Sequence, residues 1–121
     1  MPWTYTQSTG QMTNGARTYN GYSGSGNAIN DPNQEASPRL GPIPRGQWRM
    51  EQPFNSQNTG PFAIPLTPVG HNAHGRSAFQ IHGESNDGVP RNASSGCIII
   101  SPRASREAIW NSGDRVLNVV R

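Results

Sequence analysis

Cys97-Ile98-Ile99-Ile100 is the most apolar run in the chain, and it predicts a buried central strand. Ser101 and Pro102 follow this run and are typical of the N-cap and the first position of a helix. Asn111-Ser112-Gly113 is typical of a helix end. We therefore expect one short helix over about residues 102–111, directly after the apolar strand.

The remaining segments predict short strands separated by turns. The 14 glycines and 11 prolines fall between short runs of aromatic and β-branched residues, as turns between strands do. Residues 23–40 predict one long irregular loop, which is often functional in a small domain. The predicted strands are residues 3–7, 17–22, 47–50, 62–66, 78–82 and 115–120. The 121 residues therefore predict a single, mainly β domain at 1–121.

The charge of the chain indicates its partner only weakly. The formal net charge is +3, and all ten basic residues are arginine. Arginine holds carboxylates in a planar, two-pronged grip that lysine cannot match. The arginines are scattered from Arg17 to Arg121 among acidic residues, whereas a nucleic-acid-binding protein usually concentrates its positive charge. We expect no nucleic-acid partner, and the charge fits an acidic ligand and an ordinary solvated surface about equally well.

Three further features concern the surroundings in which the protein works. No stretch approaches the roughly 18 apolar residues of a membrane helix, so no membrane partner is expected. The first residues lack the basic start and apolar run of a secretory signal, so no signal peptide is predicted. The single cysteine, Cys97, can form neither an internal disulfide nor a cysteine-rich zinc site.

His82 and Cys97 are the candidates for catalysis. His82 ends a predicted strand and Gly83 permits a sharp turn, so the polar loop 84–91 can return the chain beside the His82 strand. Two neighbouring strand ends would then bring imidazole and thiol within hydrogen-bond reach. An imidazole favours the nucleophilic thiolate, and backbone N–H groups beside Gly96 could stabilise an oxyanion. The pattern predicts a cysteine nucleophile with a histidine base, although a lone cysteine can also be inert packing.

A metal site is the alternative role for the histidines. His71 and His74, together with His82, offer three imidazoles. Zinc sites usually show tighter spacing and often include a carboxylate, and the residues around His74 indicate a loop. We therefore expect no metal and no other cofactor.

The chain resembles a known family over nearly its whole length. The pattern Ile81-His82-Gly83, a loop, then Ser94-Ser95-Gly96-Cys97-Ile98 is similar to the signature of L,D-transpeptidase (YkuD-like) catalytic domains. More closely, the chain resembles a branch of small type VI secretion effectors with such a domain. The supporting motifs are Trp3-Thr4-Tyr5, Ser8-Thr9-Gly10, Gly21-Tyr22-Ser23-Gly24, Gly41-Pro42-Ile43-Pro44-Arg45-Gly46, Gly75-Arg76 with Phe79, and Gly96-Cys97-Ile98-Ile99.

The resemblance implies a role for each residue of the catalytic motif. It implies that Cys97 is the nucleophile and His82 the base. The backbone carbonyl of Gly83 matches the group that orients the imidazole in this family. Ser94 and Gly96 match the hydroxyl residue and the glycine that precede the nucleophile.

Two positions depart from typical members of the broader family. Ser95 stands where those members carry a second histidine, and Ile99 stands where they carry Arg or Asn. Both departures concern how the substrate is held, and we assign Ser95 to the substrate-binding residues. Arg76 and Arg103 are the candidates for holding a stem-peptide carboxylate, although each could also be an ordinary surface arginine.

The resemblance also implies a fold and a reaction. The fold would be an L,D-transpeptidase-like β-sandwich or barrel with one short helix, acting on the stem peptides of peptidoglycan. Cys97 would attack the bond after the L-centre of the third stem residue, release the terminal D-alanine and form a thioester. Water would then give L,D-carboxypeptidase activity, and another D-amino acid would give exchange.

Three other functions remain open at this point. In NlpC/P60- and papain-type cysteine peptidases the cysteine precedes the histidine, whereas here His82 comes first. A housekeeping cell-wall enzyme would share the chemistry. A non-catalytic wall-binding module would keep Cys97 as packing, and thiol labelling near neutral pH would separate it, because a catalytic thiolate reacts fast.

The effector resemblance implies where the protein acts. It would be made in the cytoplasm without a signal peptide, carried out by a type VI secretion machine, and active in the periplasm of a target bacterium. Its partners would be stem peptides, that machinery and a cognate immunity protein.

Overall fold

Short strands and one helix make up the fold. The computed structural model describes residues 2–84 and 94–121. In chain order these residues form β1 (Trp3–Thr6), β2 (Gln11–Thr13), β3 (Thr18–Asn20), β4 (Tyr22–Ser23), β5 (Gly46–Met50), β6 (Phe54–Ser56), β7 (Gly60–Val69), β8 (Gln80–His82), β9 (Ile98–Ile99), α1 (Arg103–Asn111) and β10 (Val116–Val120). The predicted mainly β class with one short helix is confirmed.

The strands pair into one mixed sheet. Its order is β3-β2-β1-β10-β5-β7-β8-β9-β4, and β6 pairs with β7 beside this path. The pairs β1–β10 and β8–β9 are parallel, and the other pairs are antiparallel. Within residues 2–84 and 94–121 the path ends at β3 and β4, so the hydrogen bonding forms an open sheet and does not close into a barrel.

Large apolar side chains fill one core. Trp3, Tyr5 and Trp48 are fully buried, and the rings of Trp48 and Phe79 meet edge to face at 4.9 Å between centroids. Full burial of one large apolar side chain stabilises a fold by about 1.5–3 kcal/mol, so a chain that is only 31% hydrophobic depends on these few residues. The other members of the core are Met12, Ile43, Met50, Ile64, Leu66, Ala73, Ile81, Ile98, Ile100, Ile109, Leu117 and Val119.

The apolar run at 97–100 is an interior strand, as predicted. β9 lies between β8 and β4, and Ile98, Ile99 and Ile100 are at most 1% exposed. Ile98 and Ile100 belong to the main core. Because side chains alternate along a strand, the intervening face of this segment is left for the residues of the candidate site.

Helix α1 follows β9 at the expected place but begins differently. Arg103 is its first residue and Pro102 occupies the N-cap position, so the expected capping by Ser101 is wrong. The Pro102 carbonyl accepts hydrogen bonds from the backbone N–H groups of Ser105 and Arg106 and so satisfies the first turn. In the part of the chain that the structure describes, no helix is long and apolar enough to cross a membrane.

The prediction of a single strand at 17–22 is wrong, because this segment forms two separate strands, β3 and β4. These two strands lie at opposite ends of the sheet. Gly21 separates them, and a Cβ atom at this position would lie 2.1 Å from the carbonyl oxygen of Ile99. The chain can therefore pass this close to Ile99 only without a side chain. Because Gly21 alone separates β3 from β4, the two ends of the strand order lie next to each other, so the sheet is curved although its hydrogen bonding stays open.

Strand β7 is longer than the predicted 62–66, and β6 was not predicted at all. β7 contains Pro61, Pro65 and Pro68, which lack a backbone donor and weaken a sequence-based strand assignment. Phe54 of β6 pairs with Ala63 across an irregular ladder. Pairing with β5, β6 and β8 thus overrides the low strand propensity that the prolines give to β7.

The loop predicted at 23–40 is irregular apart from two short 3₁₀ turns, and Glu35 fastens it to the sheet. The turns are Gly26–Ala28 and Pro32–Gln34. The Glu35 carboxylate accepts hydrogen bonds from Gln7, Arg45 and His74 at 2.9–3.1 Å. Burial opposes ionisation of Glu35, but these hydrogen bonds outweigh it and lower its pKa to about 2. One carboxylate thus ties the loop to three other segments.

Replacing Glu35 with Gln should remove a pH-dependent part of the stability. The folded pKa is lowered, so the ionised carboxylate stabilises the protein above its unfolded pKa of 4.5, and this contribution is lost as the pH falls towards 2. We expect Glu35→Gln to cost about 1–2 kcal/mol at neutral pH, discounted for solvent screening. Urea unfolding midpoints at several pH values measure this.

The matched control is Glu107→Gln, which removes an exposed carboxylate from a surface pair with Arg103. Wild type and the control should lose stability together between pH 4.5 and 2. The Glu35→Gln curve should be flatter over that range. Parallel curves for all three proteins would contradict the role of Glu35.

Candidate active site

The parallel pairing of β8 and β9 brings His82 and Cys97 to neighbouring positions. Ile81 pairs with Ile98 and His82 pairs with Ile99. Continuing this register by one residue sets Cys97 opposite Gln80. Because alternate residues share a face, Gln80, His82 and Cys97 lie on the same face of the sheet, and Cys97 is diagonal to His82. The two strands are adjacent, but Cys97 precedes β9 and lies opposite the first residue of β8, not opposite the His82 end.

His82 is held in one orientation. Only 3% of its surface is exposed, and its Nδ1 lies 2.8 Å from the carbonyl oxygen of Gly83. An N–H on Nδ1 donates to that carbonyl and leaves Nε2 as an acceptor. Burial lowers the pKa of His82, the Gly83 hydrogen bond opposes this, and the charge of Arg106 lowers the pKa further.

Arg106 joins the residues after β9 to the start of β7 and lies beside Gly83, and the sequence analysis did not identify it. The residue is 3% exposed and donates four hydrogen bonds of 2.8–3.1 Å to backbone carbonyls, namely those of Pro61, Phe62, Ile100 and Ser101. Its Nη1 would lie 2.9 Å from a Cβ atom at Gly83. An arginine three residues before Ile109, on the buried side of α1, was the available signal.

The Cys97 thiol faces the beginning of β8. Its Sγ donates to the carbonyl oxygen of Ala78 at 3.5 Å. Burial raises the pKa of the thiol to about 11, against the opposing effects of a Gln80 backbone hydrogen bond and the Arg76 charge. Among the described residues, no hydrogen bond joins this sulfur to His82. The free protein therefore holds thiol and imidazole as neighbours, both uncharged at neutral pH.

Ser94 and Ser23 shape the turn before Cys97. The Ser94 hydroxyl donates to the Cys97 carbonyl at 2.7 Å and accepts from the N–H groups of Gly24 and Gly96 at 3.0 and 3.1 Å. The Ser23 hydroxyl donates to the Gly96 carbonyl at 3.0 Å. The Gly96 N–H is thus already taken, and an oxyanion donor among the other N–H groups of this turn stays a prediction. The sequence analysis includes Ser23 in a family motif but assigns it no role in the site.

Arg76 uses most of its donors on backbone carbonyls. Its Nη1 donates to the carbonyls of Glu35 and Pro42, and its Nη2 donates to those of Gly41 and Ser95. The side chain therefore ties the long loop to the turn before Cys97. Its proposed contact with a substrate carboxylate stays a prediction, with only Nε among its nitrogen atoms uncommitted in the described residues.

Gly96 is required by this arrangement. Its φ of +130° is unfavourable for residues with a side chain, and a Cβ atom there would lie 2.4 Å from Arg76 Nη2 and 3.0 Å from the Phe79 ring. The Arg76 guanidinium also lies over the Phe79 ring at 5.2 Å. A side chain at position 96 would displace the guanidinium and the turn that it holds.

A cleft of about 370 Å³ opens beside Cys97, the candidate nucleophile. Of the predicted site residues, Cys97, Arg76 and Ser95 line it, whereas His82 and Ser94 are buried. The remaining lining residues are Pro38, Arg39, His74, Gly75, Ser77, Ala78 and Phe79. Arg103 is not among them; it pairs with Glu107 and lies over the Phe62 ring.

Backbone strain is concentrated around this cleft. Six residues with side chains have positive φ in the described ranges, and three of them, Arg39, His74 and Ala78, line the cleft. Each such conformation costs about 1–2 kcal/mol in a residue other than glycine. Strain of this kind often occurs at functional sites.

The three histidines have separate partners. His71 Nε2 contacts the Gln47 carbonyl at 3.0 Å and its Nδ1 accepts from a backbone N–H, while His74 Nε2 pairs with Glu35. Over residues 2–84 and 94–121, no group of three or more potential metal ligands is present. These contacts give the first two imidazoles structural roles.

Comparison with known proteins identifies the family. The family model of the Tlde1 domain matches residues 17–120, which include β8, β9 and both candidate catalytic residues. No curated protein and no solved structure matches the chain. The match covers well over half of the 121 residues. The chain therefore belongs to the Tlde1-domain family of type VI secretion effectors.

Proposed function

We propose that this effector is a cysteine enzyme that removes the terminal D-alanine from peptidoglycan stem tetrapeptides. Cys97 attacks the carbonyl carbon at the L-centre of the third stem residue, the carbon–nitrogen bond breaks, and D-alanine leaves. The stem peptide stays on Cys97 as a thioester. Water then releases a tripeptide, which is L,D-carboxypeptidase activity, or the amino group of another D-amino acid takes its place, which is exchange.

The observation that carries this proposal is the position of His82 and Cys97 on one face of adjacent parallel strands. The Gly83 carbonyl holds the Nδ1 proton of His82, so Nε2 is the atom that can accept a proton from the thiol. Beside the thiol lies a cleft for the substrate. A nucleophile, an oriented base and an adjacent cleft together support acyl transfer.

The thiol must turn from the Ala78 carbonyl towards His82 before it reacts. Rotation of a side chain between rotamers is fast compared with turnover, and catalytic hydrogen bonds often tighten only when substrate is bound. His82 then accepts the proton as the carbon–sulfur bond forms. The imidazolium returns this proton to the nitrogen of the departing D-alanine.

The two pKa values indicate that the proton moves during the attack rather than before it. Burial raises the pKa of Cys97 to about 11 and lowers the pKa of His82, so at neutral pH the pair is thiol and imidazole. His82 can accept a proton only when its imidazole is neutral. Because its pKa is lowered, the imidazole stays neutral down to pH values below about 6.5, the ordinary histidine pKa. Activity should therefore fall only in that acidic range. Labelling of the free thiol near neutral pH is expected to be slow, contrary to the expectation from sequence.

The target of the proposed reaction determines where the protein acts. Stem peptides lie outside the inner membrane, so the effector would work in the periplasm of the recipient cell. A producing cell that receives the protein from its sisters then needs a periplasmic immunity protein. The cleft beside Cys97 is the place where such a protein would block the reaction.

Cys97→Ala should abolish release of D-alanine from purified tetrapeptide muropeptides, because no other described thiol can form the thioester. Mass spectrometry of the products measures the tripeptide and D-alanine. His82→Gln should lower the rate by about 10²- to 10⁴-fold, the usual contribution of a general base. Matching thermal unfolding midpoints would show that both variants remain folded.

Undiminished product from Cys97→Ala would contradict the mechanism. The reaction should also continue after exhaustive chelation, since no step uses a metal. A loss of activity that zinc restores would instead favour a metal site formed by His71, His74 and His82.

Directing the protein to the periplasm should make it toxic. A cleavable Sec signal fused to the chain should convert harmless expression into growth arrest or swelling, because the enzyme then reaches its substrate. Colony counts and microscopy measure this, and signal-bearing Cys97→Ala is the matched control. Equal toxicity with and without the signal, or of the control, would contradict a periplasmic peptidoglycan target.

A further inference from the structure

Arg39 is the cleft-lining arginine with an uncommitted side chain. Arg39 and Arg76 both line the cleft that contains Cys97. Arg76 donates to four backbone carbonyls. In the part of the chain that the structure describes, the Arg39 guanidinium has no hydrogen bond or ion pair, and the residue is exposed. Its donors are therefore available to a ligand in the cleft.

The backbone around Arg39 is fixed, although its side chain is not. The Ser25 N–H donates to the Leu40 carbonyl at 2.8 Å, and the Gly41 N–H donates to the Ser37 carbonyl at 3.0 Å. Arg39 itself has a φ of +66°, a conformation that glycine adopts without strain. A long cationic side chain is thus placed at a position that the backbone would assign to glycine. The anchored turn limits the entropy lost when this side chain binds a ligand.

The chemistry of the proposed substrate requires an anion-binding group in the same cleft. In a terminal D-amino acid, three bonds separate the attacked carbonyl carbon from the carboxylate carbon. A substrate bound for attack by Cys97 therefore places its carboxylate inside or at the edge of this cleft. The charged or ionisable residues around it are Arg39, Arg76, His74 and Cys97, and the cleft lining includes no Asp or Glu from the described ranges.

We propose that Arg39 binds the terminal carboxylate of the leaving D-amino acid and makes the enzyme selective for stem peptides with a free C-terminus. This assignment rests on the proposed function. The planar guanidinium can hold a carboxylate through two parallel hydrogen bonds, which a neutral amide end cannot match. Arg39 is thus a specificity-determining residue that directs hydrolysis or exchange to the terminal D-amino acid and disfavours endopeptidase cleavage.

The direct test compares two substrates and three variants. The substrates are the stem tetrapeptide with a free terminal D-alanine and the same peptide ending in D-alanine amide. Arg39→Gln should lower kcat/KM for the acid about ten- to a hundredfold, mainly through KM, because it removes a charge-assisted hydrogen bond. It should leave kcat/KM for the amide unchanged. Arg39→Lys should restore part of the loss.

Arg17→Gln is the matched control, since it removes one exposed positive charge from the turn between β2 and β3, away from the lining of the cleft. It should leave both substrates unaffected, and thermal unfolding midpoints should match for all variants. Equal losses on acid and amide, or no loss in Arg39→Gln, would overturn the proposal.

A second measurement needs no catalysis. At about pH 9, alkylation of Cys97 by iodoacetate and by iodoacetamide compares an anionic with a neutral reagent of nearly the same size. The rate with iodoacetate divided by the rate with iodoacetamide should fall severalfold in Arg39→Gln, because the anionic reagent loses its positively charged partner. The same ratio should stay unchanged in Arg17→Gln. An unchanged ratio in Arg39→Gln overturns the carboxylate site. If wild type releases no D-alanine while the ratio does fall, the proposed function fails and the anion-binding role of Arg39 stands.

Discussion

The rest of the site depends on the hydrogen bonds that the Arg76 guanidinium donates to backbone carbonyls. The guanidinium donates to the carbonyls of Glu35, Gly41 and Pro42 on one side and to that of Ser95 on the other. A carbonyl left without a donor costs about 1–3 kcal/mol where it is buried, so Arg76 holds the loop wall of the cleft through the three part-buried carbonyls and joins it to the turn before Cys97. It leaves no room for a side chain at position 96 and brings a positive charge to the thiol.

The site combines rigid surroundings with a thiol and an imidazole that are both uncharged at neutral pH. Hydrogen bonds of Ser94 fix the turn before Cys97, and those of Arg106 fix the residues that follow β9, while the thiol itself contacts the Ala78 carbonyl. A raised thiol pKa and a lowered imidazole pKa keep both groups neutral. In this account the bound substrate completes the catalytic geometry, which suits a toxin that has to remain harmless until it meets its target.

Several strands and the adjacency of the segments that carry His82 and Cys97 could be predicted from the sequence, because an apolar run, a glycine turn and a polar loop are local signals. The sequence does not predict the break between β3 and β4 or the full length of the proline-rich strand β7. Both depend on pairing with strands that are distant in sequence. Arg106 and Ser23 were missed for the same reason: their partners are backbone carbonyls from other segments. The position of Arg39 in the cleft likewise depends on how the loop at residues 23–40 folds against the sheet. The spacing of residues in the sequence does not predict that arrangement.

The most direct test of the central claim is the intact mass of the protein during turnover. Wild type mixed with tetrapeptide and quenched in acid should carry an added mass equal to the peptide minus D-alanine, attached at Cys97. The same adduct should form far more slowly in His82→Gln, because the thiol then lacks its base. Release of D-alanine without any adduct on Cys97, or equal rates in the two proteins, would contradict a mechanism in which His82 activates Cys97.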